Sequence, residues 1–368
     1  MTELDLAGLQ QVKFQEVEKQ LRAMWGATAE AEDAEHSRPV IRACALNLVV
    51  YVADRTSLPR MLAAIDQVSL SIPSRAIVLV TDPQKAGDDL TTYIKSVCRL
   101  PDASGRRLCC EQVVVVGGVQ AGSVIHSAID PLLVPDLPVY LWWNYRPEFD
   151  GPLFEKLARA ANRLIVDTEV FDREAFGRLV DFVPRGCDDL AISDLNWGRL
   201  TRWRQILAQL YDSAQYRNHL AGLQRMDVEW ISNGAFPVRP LLLTAWMAGR
   251  LKWNPQGKME GSGNSIRMQF GSAVAEISVV VTLRSGPVEN SAIVGVELHT
   301  ADGADFLLKK LPDQDFTETT VKLPGIASNV MVGEMTKIEL EEILSQELEV
   351  LDRDWVYEEA LRMAARLI

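Results

Sequence analysis

Three of the five cysteines, Cys98, Cys109 and Cys110, lie close together and form the clearest group of reactive side chains. The residues between them read PDASGRR over 101–107, which is typical of a turn. If this turn closes an antiparallel hairpin, Cys98 lies opposite Cys109 or Cys110, at a distance that a disulfide bond can span. We therefore predict a redox site. The alternatives are three reduced, buried cysteines, or a helix over 88–97, which would exclude the pairing.

Residue spacings typical of catalytic and metal centres are not found in the sequence. The sequence GGVQAG, which begins at Gly117, follows a predicted strand and precedes a predicted helix, where backbone N–H groups can bind phosphate. It is neither a dinucleotide fingerprint nor a P-loop. We therefore predict no metal, no cofactor and no catalytic residue, in a protein that is not an enzyme. The histidines lack zinc-ligand, HExxH and nucleophile contexts; they are His36, His126, His219 and His299.

Two groups of aromatic and basic side chains are candidates for binding a partner. Trp142 and Trp143 end a predicted strand, where the ligand crevices of open α/β sheets lie. The alternative is that both are packed between helices. The second group lies on one predicted helix, and Trp and Arg are typical of interface hot spots. A solvated helix face paired with the protein's own acids is the alternative here. Its members are Arg199, Arg202, Trp203 and Arg204.

Composition narrows the class of protein. A length of 368 residues predicts about two domains. The net charge of −12 disfavours a general binder of nucleic acid or of anionic membranes, because phosphate recognition requires a basic surface. The first residues do not resemble a secretory signal, and five cysteines then indicate a reducing compartment. We therefore expect a cytoplasmic protein.

The first half of the chain predicts an N-terminal helix and linker over 1–39, followed by an α/β domain over 40–190. Predicted strands alternate with predicted helices, which favours a wound sheet with helices on both faces. The cysteine hairpin would join 90–100 to 108–116. Strands are expected over 43–52, 76–80, 139–143 and 164–166, and helices over 56–69, 123–133, 153–161 and 173–181.

The second half, 191–368, predicts an α+β domain with antiparallel strands. Helices are expected over 200–210 and 240–253, and strand-like runs separated by Gly, Ser and Pro fill 265–311. Thr336 and Glu339 have the spacing of a capping box for a helix over 337–346. A last helix begins near Asp354, and the acidic stretch 311–368 is interpreted as a pair of solvated helices.

Several stretches together resemble one known family over about residues 42–366. They are PLLVPDLPVYLWW over 131–143, CEQ over 110–112, DLNW with RLT and WR over 194–204, LSQEL over 344–348 and VYEEAL over 356–361. On these motifs the chain resembles the glucose-6-phosphate dehydrogenase assembly proteins, the OpcA family, and its cyanobacterial branch in particular.

The resemblance implies a non-catalytic allosteric activator. Proteins of this family bind glucose-6-phosphate dehydrogenase and promote its active oligomer, which supplies NADPH through the oxidative pentose phosphate pathway. In cyanobacteria the system is linked to thioredoxin, so thioredoxin is a second candidate partner. The family supplies no catalytic residue to carry over. The alternative is a sensor or enzyme that binds a sugar phosphate or nucleotide in the cleft of the α/β domain.

Overall fold

The chain forms two compact units in a computed structural model. The structure describes residues 8–31, 40–85, 87, 89–98, 107–118, 125, 127, 129–183, 190–232, 236–284, 292–312 and 314–368. Unit 1 comprises Met1–Asp167, Arg185–Leu195 and Glu339–Arg353, and unit 2 comprises Thr168–Pro184, Asn196–Ile338 and Asp354–Ile368. The predicted boundary near 190 is thus one of several points at which the chain passes from one unit to the other. Three segments belong to the unit opposite to the one predicted: 168–184 lies in unit 2, and 191–195 and 339–353 lie in unit 1.

Unit 1 is built on a nine-stranded sheet of order β1-β5-β6-β4-β3-β7-β8-β9, with β2 paired to β6. The strands are β1 (Gln10–Val12), β2 (Val40–Arg42), β3 (Leu46–Val52), β4 (Ser74–Asp82), β5 (Thr91–Cys98), β6 (Arg107–Gly118), β7 (Val139–Trp143), β8 (Arg163–Val166) and β9 (Ala191–Asp194). From β6 to β9 all neighbours are parallel, whereas β5 and β1 are antiparallel. Numbered along the chain from β3, the parallel strands follow the order 3-2-1-4-5-6, which is that of the doubly wound dinucleotide-binding fold.

Burial explains why these strands read as continuous apolar runs. Almost every residue of β3, β4 and β8 is buried, as expected for parallel strands covered on both faces. The described helices of unit 1 are α1 (Val17–Ala31), α2 (Leu58–Ser71), α3 (Pro152–Ala160) and a later helix, Leu340–Glu349. Within α2 the buried residues recur at helical spacing and include Leu58, Met61, Leu62, Ile65 and Val68. The predicted wound α/β sheet is confirmed.

The cysteine hairpin is present in this sheet. β5 and β6 are antiparallel with Cys98 opposite Cys109, so the helix considered over 88–97 is wrong for the described residues. The turn itself, 99–106, lies outside the described residues. Of the helix predicted over 123–133, residues 123, 124, 126 and 128 also lie outside the described residues, and Asp130–Leu132 form a 3₁₀ turn.

Unit 2 contains a second nine-stranded sheet, of order β11-β13-β14-β10-β15-β16-β17-β18, with β12 paired to β13. Its strands are β10 (Leu223–Ile231), β11 (Asn254–Pro255), β12 (Glu260–Ser262), β13 (Ser265–Gly271), β14 (Glu276–Arg284), β15 (Ala292–Thr300), β16 (Asp305–Lys310), β17 (Phe316–Lys322) and β18 (Asn329–Glu334). All described neighbours are antiparallel except β10 and β14, which are parallel. The antiparallel meander predicted over 265–311 is right for the pairs β13–β14 and β15–β16. It is wrong between them, because β10 lies between β14 and β15.

The helices of unit 2 include the two predicted around 200–210 and 240–253. They are α4 (Arg173–Phe182), α5 (Leu195–Gly198), α6 (Thr201–Leu210), α7 (Ala214–Arg217) and α8 (Val238–Arg250). With Leu340–Glu349 numbered α9, the last helix is α10 (Trp355–Ala365), which packs against α8 and α4. Among the described residues, no helix combines the length and apolar character needed to cross a bilayer.

Two predictions for the C-terminal region are wrong. Residues 311–368 are not only helical, because β17 and β18 precede α9. The capping box is also absent. Thr336 Oγ1 donates to the Glu334 carboxylate, and Glu339 itself occupies the N-cap position of α9, without a side-chain cap. Helix α9 therefore begins at Leu340, three residues later than predicted.

Candidate functional site

Trp142 and Trp143 lie in the core of unit 1. Their strand, β7, is paired on both sides, with β3 and β8. Trp142 has no exposed surface, and Trp143 is 4% exposed. The Trp143 ring stacks on Tyr51, with 3.9 Å between ring centroids, and meets the edge of Phe154 from α3. The prediction that these two tryptophans bind a partner is wrong for this conformation, because a central parallel strand is covered on both faces.

The edge between β3 and β7 is the point where the strand order of unit 1 reverses. In open α/β sheets this is where ligands bind, and the first strand–helix turn holds the phosphates of a dinucleotide. Here that turn follows β3 and reads Ala53-Asp54-Arg55-Thr56-Ser57. It contains no glycine. The Gly117-Gly118 pair lies elsewhere, at the end of β6, the third parallel strand. The strand order therefore places the candidate ligand site at the turn after β3 and not at the end of β6.

Asp54 fills the turn with its own carboxylate. One oxygen, Oδ1, accepts hydrogen bonds from the backbone N–H groups of Thr56, at 2.8 Å, and of Ser57, at 3.0 Å. The Thr56 and Ser57 hydroxyls also donate to this carboxylate. Burial acts to raise the pKa of Asp54, but these hydrogen bonds outweigh it and hold the pKa below the ordinary value. A carboxylate of the chain thus takes N–H groups at the start of α2, where the fold normally places phosphate.

A second carboxylate at the same edge is also engaged within the chain. Asp82 ends β4, the position at which dinucleotide-binding folds place the acid that binds ribose. Its side chain is 4% exposed, and its Oδ2 lies 2.8 Å from Nη1 of Arg55. Its Oδ1 accepts the N–H of Gln84 at 2.9 Å. The acid that a nucleotide site would present to ribose is therefore held by neighbouring residues.

Close backbone approach restricts this edge further. A Cβ added to Gly118, at the end of β6, would lie 2.3 Å from the carbonyl oxygen of Lys85. The Lys85 ammonium donates to the Val116 carbonyl at 3.0 Å and to the Thr91 hydroxyl at 2.7 Å. Gly118 is thus explained by a backbone contact inside unit 1, and no phosphate is needed to account for it.

The arginine-rich segment of unit 2 is largely an internal scaffold. Trp203 is buried, Arg199 pairs with Glu169 at 3.3 Å, and the Arg204 guanidinium lies 3.6 Å from the Trp197 ring centroid. The prediction for Trp203 as a partner-binding residue is therefore wrong for this conformation. Arg202 is partly exposed, and its Nη1 lies 3.4 Å from Oε1 of Gln205 on the same helix. It is the member of the group best placed for an outside contact.

Residues of the DLNW motif hold unit 2 together. Asn196 accepts from Nε of buried Arg239 at 2.7 Å and donates to the Thr168 hydroxyl at 3.2 Å. Nε1 of Trp197 donates to Asp354 at 2.9 Å, and Asp354 caps α10 through the N–H of Tyr357. The motif therefore ties together segments that are far apart in the sequence.

The motif over 131–143 has a similar structural role in unit 1. The Asn47 amide donates to the carbonyls of Val134 and Leu137, at 3.0 and 3.3 Å, and its oxygen accepts the N–H of Val134 at 2.8 Å. Arg75, which is buried and paired with Glu111, donates to the Leu132 carbonyl at 2.9 Å. These contacts fix the loop that leads into β7.

Cys98 and Cys109 form a disulfide bond across β5 and β6. Cys98 is exposed and Cys109 is buried. The neighbouring thiol of Cys110 is buried and donates to the Ser69 carbonyl at 3.4 Å. Burial raises the pKa of the Cys110 and Cys44 thiols, so these two are predominantly neutral and react slowly. Cys187 lies outside the described residues.

The histidines that the structure describes are engaged with acids in unit 2. Nδ1 of His219 lies 2.6 Å from Asp302, and Nδ1 of His299 lies 2.8 Å from Asp305. Within the part of the chain that is described, no cluster of three or more His, Cys, Asp or Glu side chains is arranged to hold a metal ion. His36 and His126 lie outside the described residues.

Comparison with protein families gives a match over each half of the chain. Residues 65–179 match the OpcA family model of the glucose-6-phosphate dehydrogenase subunit N-terminal domain. Residues 190–361 match the model of the C-terminal domain of the same subunit. The chain belongs to the OpcA family. The resemblance found in the sequence motifs is therefore confirmed.

Curated relatives of the OpcA family come from cyanobacteria. The OxPP cycle protein OpcA of Nostoc punctiforme is 26% identical over 325 residues, which cover 82% of this chain and 66% of that protein. The one from Synechococcus elongatus is 28% identical over 310 residues, covering 80% of this chain and 67% of that protein. The chain thus spans about two thirds of the length of these OpcA relatives.

Solved structures similar to this OpcA-family chain include dehydrogenases. A UDP-N-acetylglucosamine 3-dehydrogenase from Acidithiobacillus ferrooxidans has a TM-score of 0.47 at 12% identity, covering 89% of this chain and 96% of that one. The transcriptional regulator Gal80p from a Kluyveromyces yeast has a TM-score of 0.46 at 8% identity, covering 84% of each chain.

Proposed function

We propose that the chain is a non-catalytic activator that binds glucose-6-phosphate dehydrogenase and promotes assembly of its active oligomer in the oxidative pentose phosphate pathway. The observation that carries this proposal concerns the first unit of this OpcA-family chain. The unit has the strand order of a nucleotide-binding domain, but Asp54 and the Arg55–Asp82 pair fill the edge where the ligand would bind. A chain whose own carboxylate takes the phosphate position, and whose acid at the ribose-binding position is paired internally, is suited to act through its surface.

Activation then follows from differential binding. An activator that binds the active oligomer of the dehydrogenase more tightly than the inactive form shifts the population toward the active form by that difference in affinity. The activator makes and breaks no bonds itself, and it needs no cofactor. The same logic predicts that substrate binding to the dehydrogenase strengthens its affinity for the activator, because binding coupling is reciprocal.

The direct test mixes the purified chain with purified glucose-6-phosphate dehydrogenase and follows NADPH formation. The proposal predicts a saturable increase in rate and a shift of the dehydrogenase to a larger species in size-exclusion chromatography. Calorimetry of the chain alone with glucose 6-phosphate and with NADP⁺ addresses the alternative, a metabolite sensor or enzyme. Binding of either metabolite without a partner would favour that alternative.

Arg202 is the residue through which the proposed arginine-rich docking surface is best tested. Arg199 and Arg204 remain proposed members, but their contacts with Glu169 and Trp197 mean that replacing them also disturbs unit 2. Arg202→Glu should weaken activation without lowering the melting temperature of the chain. Arg159→Glu is the matched control, since Arg159 is 74% exposed on α3 and pairs only weakly within its own helix. Equal activation by both variants would remove Arg202 from the docking surface.

The Cys98–Cys109 disulfide is the proposed redox site, with thioredoxin as the candidate reductant. Its reduction consumes two electrons and two protons from a dithiol, which becomes a disulfide, and leaves two thiols on β5 and β6. Exposed Cys98 offers the sulfur that a reductant can reach. Peptide mapping before and after treatment with reduced thioredoxin tests this assignment. An unchanged mass at the Cys98 and Cys109 peptides would reject it.

A further inference from the structure

β18 is an edge strand that lacks the usual protection against pairing with another chain. It is the last strand in the order of the second sheet, and no described strand pairs with its outer side. Edge strands are commonly blocked by lysine, proline, a bulge or short length. The opposite edge, β11, is two residues long and contains Pro255. β18 reads NVMVGE, has neither lysine nor proline, and pairs with β17 in one uninterrupted register.

The exposed apolar side chains of the chain are concentrated at this edge. Ten large apolar side chains are exposed in the described part of the chain, and five of them lie on β17, on β18 or in the turn between them. Val330 is 55% exposed, Met331 37% and Val332 63%. The other two are Phe316 and Ile326. Val330 and Val332 lie on one face of the sheet and Met331 on the other, so this edge exposes apolar side chains on both faces.

The backbone of β18 is oriented to accept another strand. The N–H of Met335 donates to the Asp315 carbonyl at 2.7 Å, which fixes the phase of the β17–β18 ladder. Every second residue of an antiparallel strand directs its N–H and C=O groups to the same side. Since Met335 bonds to β17, the backbone groups of Met331, four residues earlier, also point to β17. Val330, Val332 and Glu334 therefore direct their backbone groups outward.

The sequence of β18 matches a second copy of itself. A two-fold axis perpendicular to the sheet and passing through Met331 pairs Val330 with Val332 of the copy, and Met331 with Met331. Val330 and Val332 then form the hydrogen-bonded pairs, using the outward backbone groups. Glu334 is the only charged residue of the strand, and it lies opposite Ser328 of the copy. A shift of the copy by two residues would instead place the charged Glu334 opposite the apolar Val330. The register centred on Met331 avoids this mismatch and is therefore preferred.

We propose that two copies of this chain associate through β18, antiparallel and centred on Met331, so that the second sheets of both copies form one continuous sheet. The occupant is a second copy because residues 328–334 of each copy supply both sides of the pairing, with Glu334 opposite a polar residue and the valines opposite each other. This self-association is independent of the proposed activation of the dehydrogenase.

Sedimentation equilibrium of the full-length chain over a wide range of concentrations tests the proposal. The wild-type chain should be a dimer. Val332→Lys should weaken dimerisation by about tenfold or more, because it places two lysines in an apolar strand pair. Val274→Lys is the matched control, since Val274 is 71% exposed in the turn between β13 and β14. A monomeric wild-type chain, or a dimer that Val332→Lys leaves intact, would overturn the proposal.

Cross-linking tests the register. Met331→Cys places two thiols at the two-fold axis, in a non-hydrogen-bonded pair where the side chains are closest. Mild oxidation should then give a covalent dimer that peptide mapping assigns to residue 331 in both chains, whereas Val274→Cys should not. A Met331→Cys chain that gives no more covalent dimer than Val274→Cys under the same oxidising conditions would contradict the register.

Discussion

At the scale of single residues, the side chains that first suggested chemistry mostly stabilise the fold. Trp142, Trp143 and Trp203 are buried, and Arg199 and Arg204 contact Glu169 and Trp197. The sequence could not show that Trp142 and Trp143 are core residues. A parallel strand is buried on both faces, so its residues do not alternate between polar and apolar. Asp54 was missed for a related reason. Its spacing to Thr56 and Ser57 is that of an ordinary turn, and only the strand order shows what the turn replaces.

Asp54→Asn should destabilise the chain by about 1 kcal/mol at neutral pH, because the hydrogen bonds from Thr56 and Ser57 lose their charged acceptor. The folded-state pKa of Asp54 lies below its ordinary value of 3.8, so its charged form stabilises the fold above that pH. This contribution is lost as the pH falls through the folded-state pKa. Urea unfolding of both proteins should therefore show a difference that shrinks below pH 3.8. Asp212→Asn, at an exposed site, is the control, and a difference that persists in acid would contradict this role.

Trp197→Phe should destabilise unit 2 by about 2 kcal/mol, because the Asp354 carboxylate loses a hydrogen bond from Nε1 and the Arg204 guanidinium loses its indole partner. Trp355→Phe makes the same chemical change at a side chain that is 58% exposed, and it should cost less. Chemical denaturation monitored by circular dichroism compares the two. Equal losses would show that the Trp197 contacts contribute little.

At the scale of elements, apolar runs and helical spacing predicted β3 to β8 of unit 1 and the main helices of both units, but not the short strands β1, β2 and β9. β17 was missed because two of its three buried positions are threonines, so FTETTVK does not alternate between apolar and polar residues. β18 was missed because NVMVGE is a short strand whose residues are mostly exposed and do not alternate either. The parallel pairing of β10 with β14 depends on contacts far apart in sequence, which local patterns do not encode. The hairpin of β5 and β6 was predictable, since the position of its turn alone sets which cysteines face each other.

Reduction of the Cys98–Cys109 disulfide should destabilise the chain by about 3 kcal/mol, because the bond closes a short loop of the unfolded chain. Thermal unfolding with and without dithiothreitol measures the effect. Cys98→Ser should melt at the lower temperature in both conditions, and Cys44→Ser should respond to the reductant as the wild-type chain does. If dithiothreitol lowers the melting temperature of Cys98→Ser as much as that of the wild-type chain, the hairpin disulfide is not the element that responds.

At the scale of the whole molecule, the fold and the family both favour a protein that acts through its surface. The first unit has the strand order of a dinucleotide-binding domain, yet its ligand edge is occupied by the chain's own acids. The chain belongs to a family whose models are described as parts of a glucose-6-phosphate dehydrogenase subunit. A domain that keeps the architecture of a ligand site while filling it internally is consistent with action through a surface.

The measurement that tests this account most directly is a titration of glucose-6-phosphate dehydrogenase with the purified chain, read as the initial rate of NADPH formation. The account predicts that the rate rises and saturates at a fixed molar ratio, and that the chain alone forms no NADPH. A rate that stays constant at every ratio, or NADPH formed by the chain without the dehydrogenase, would contradict it.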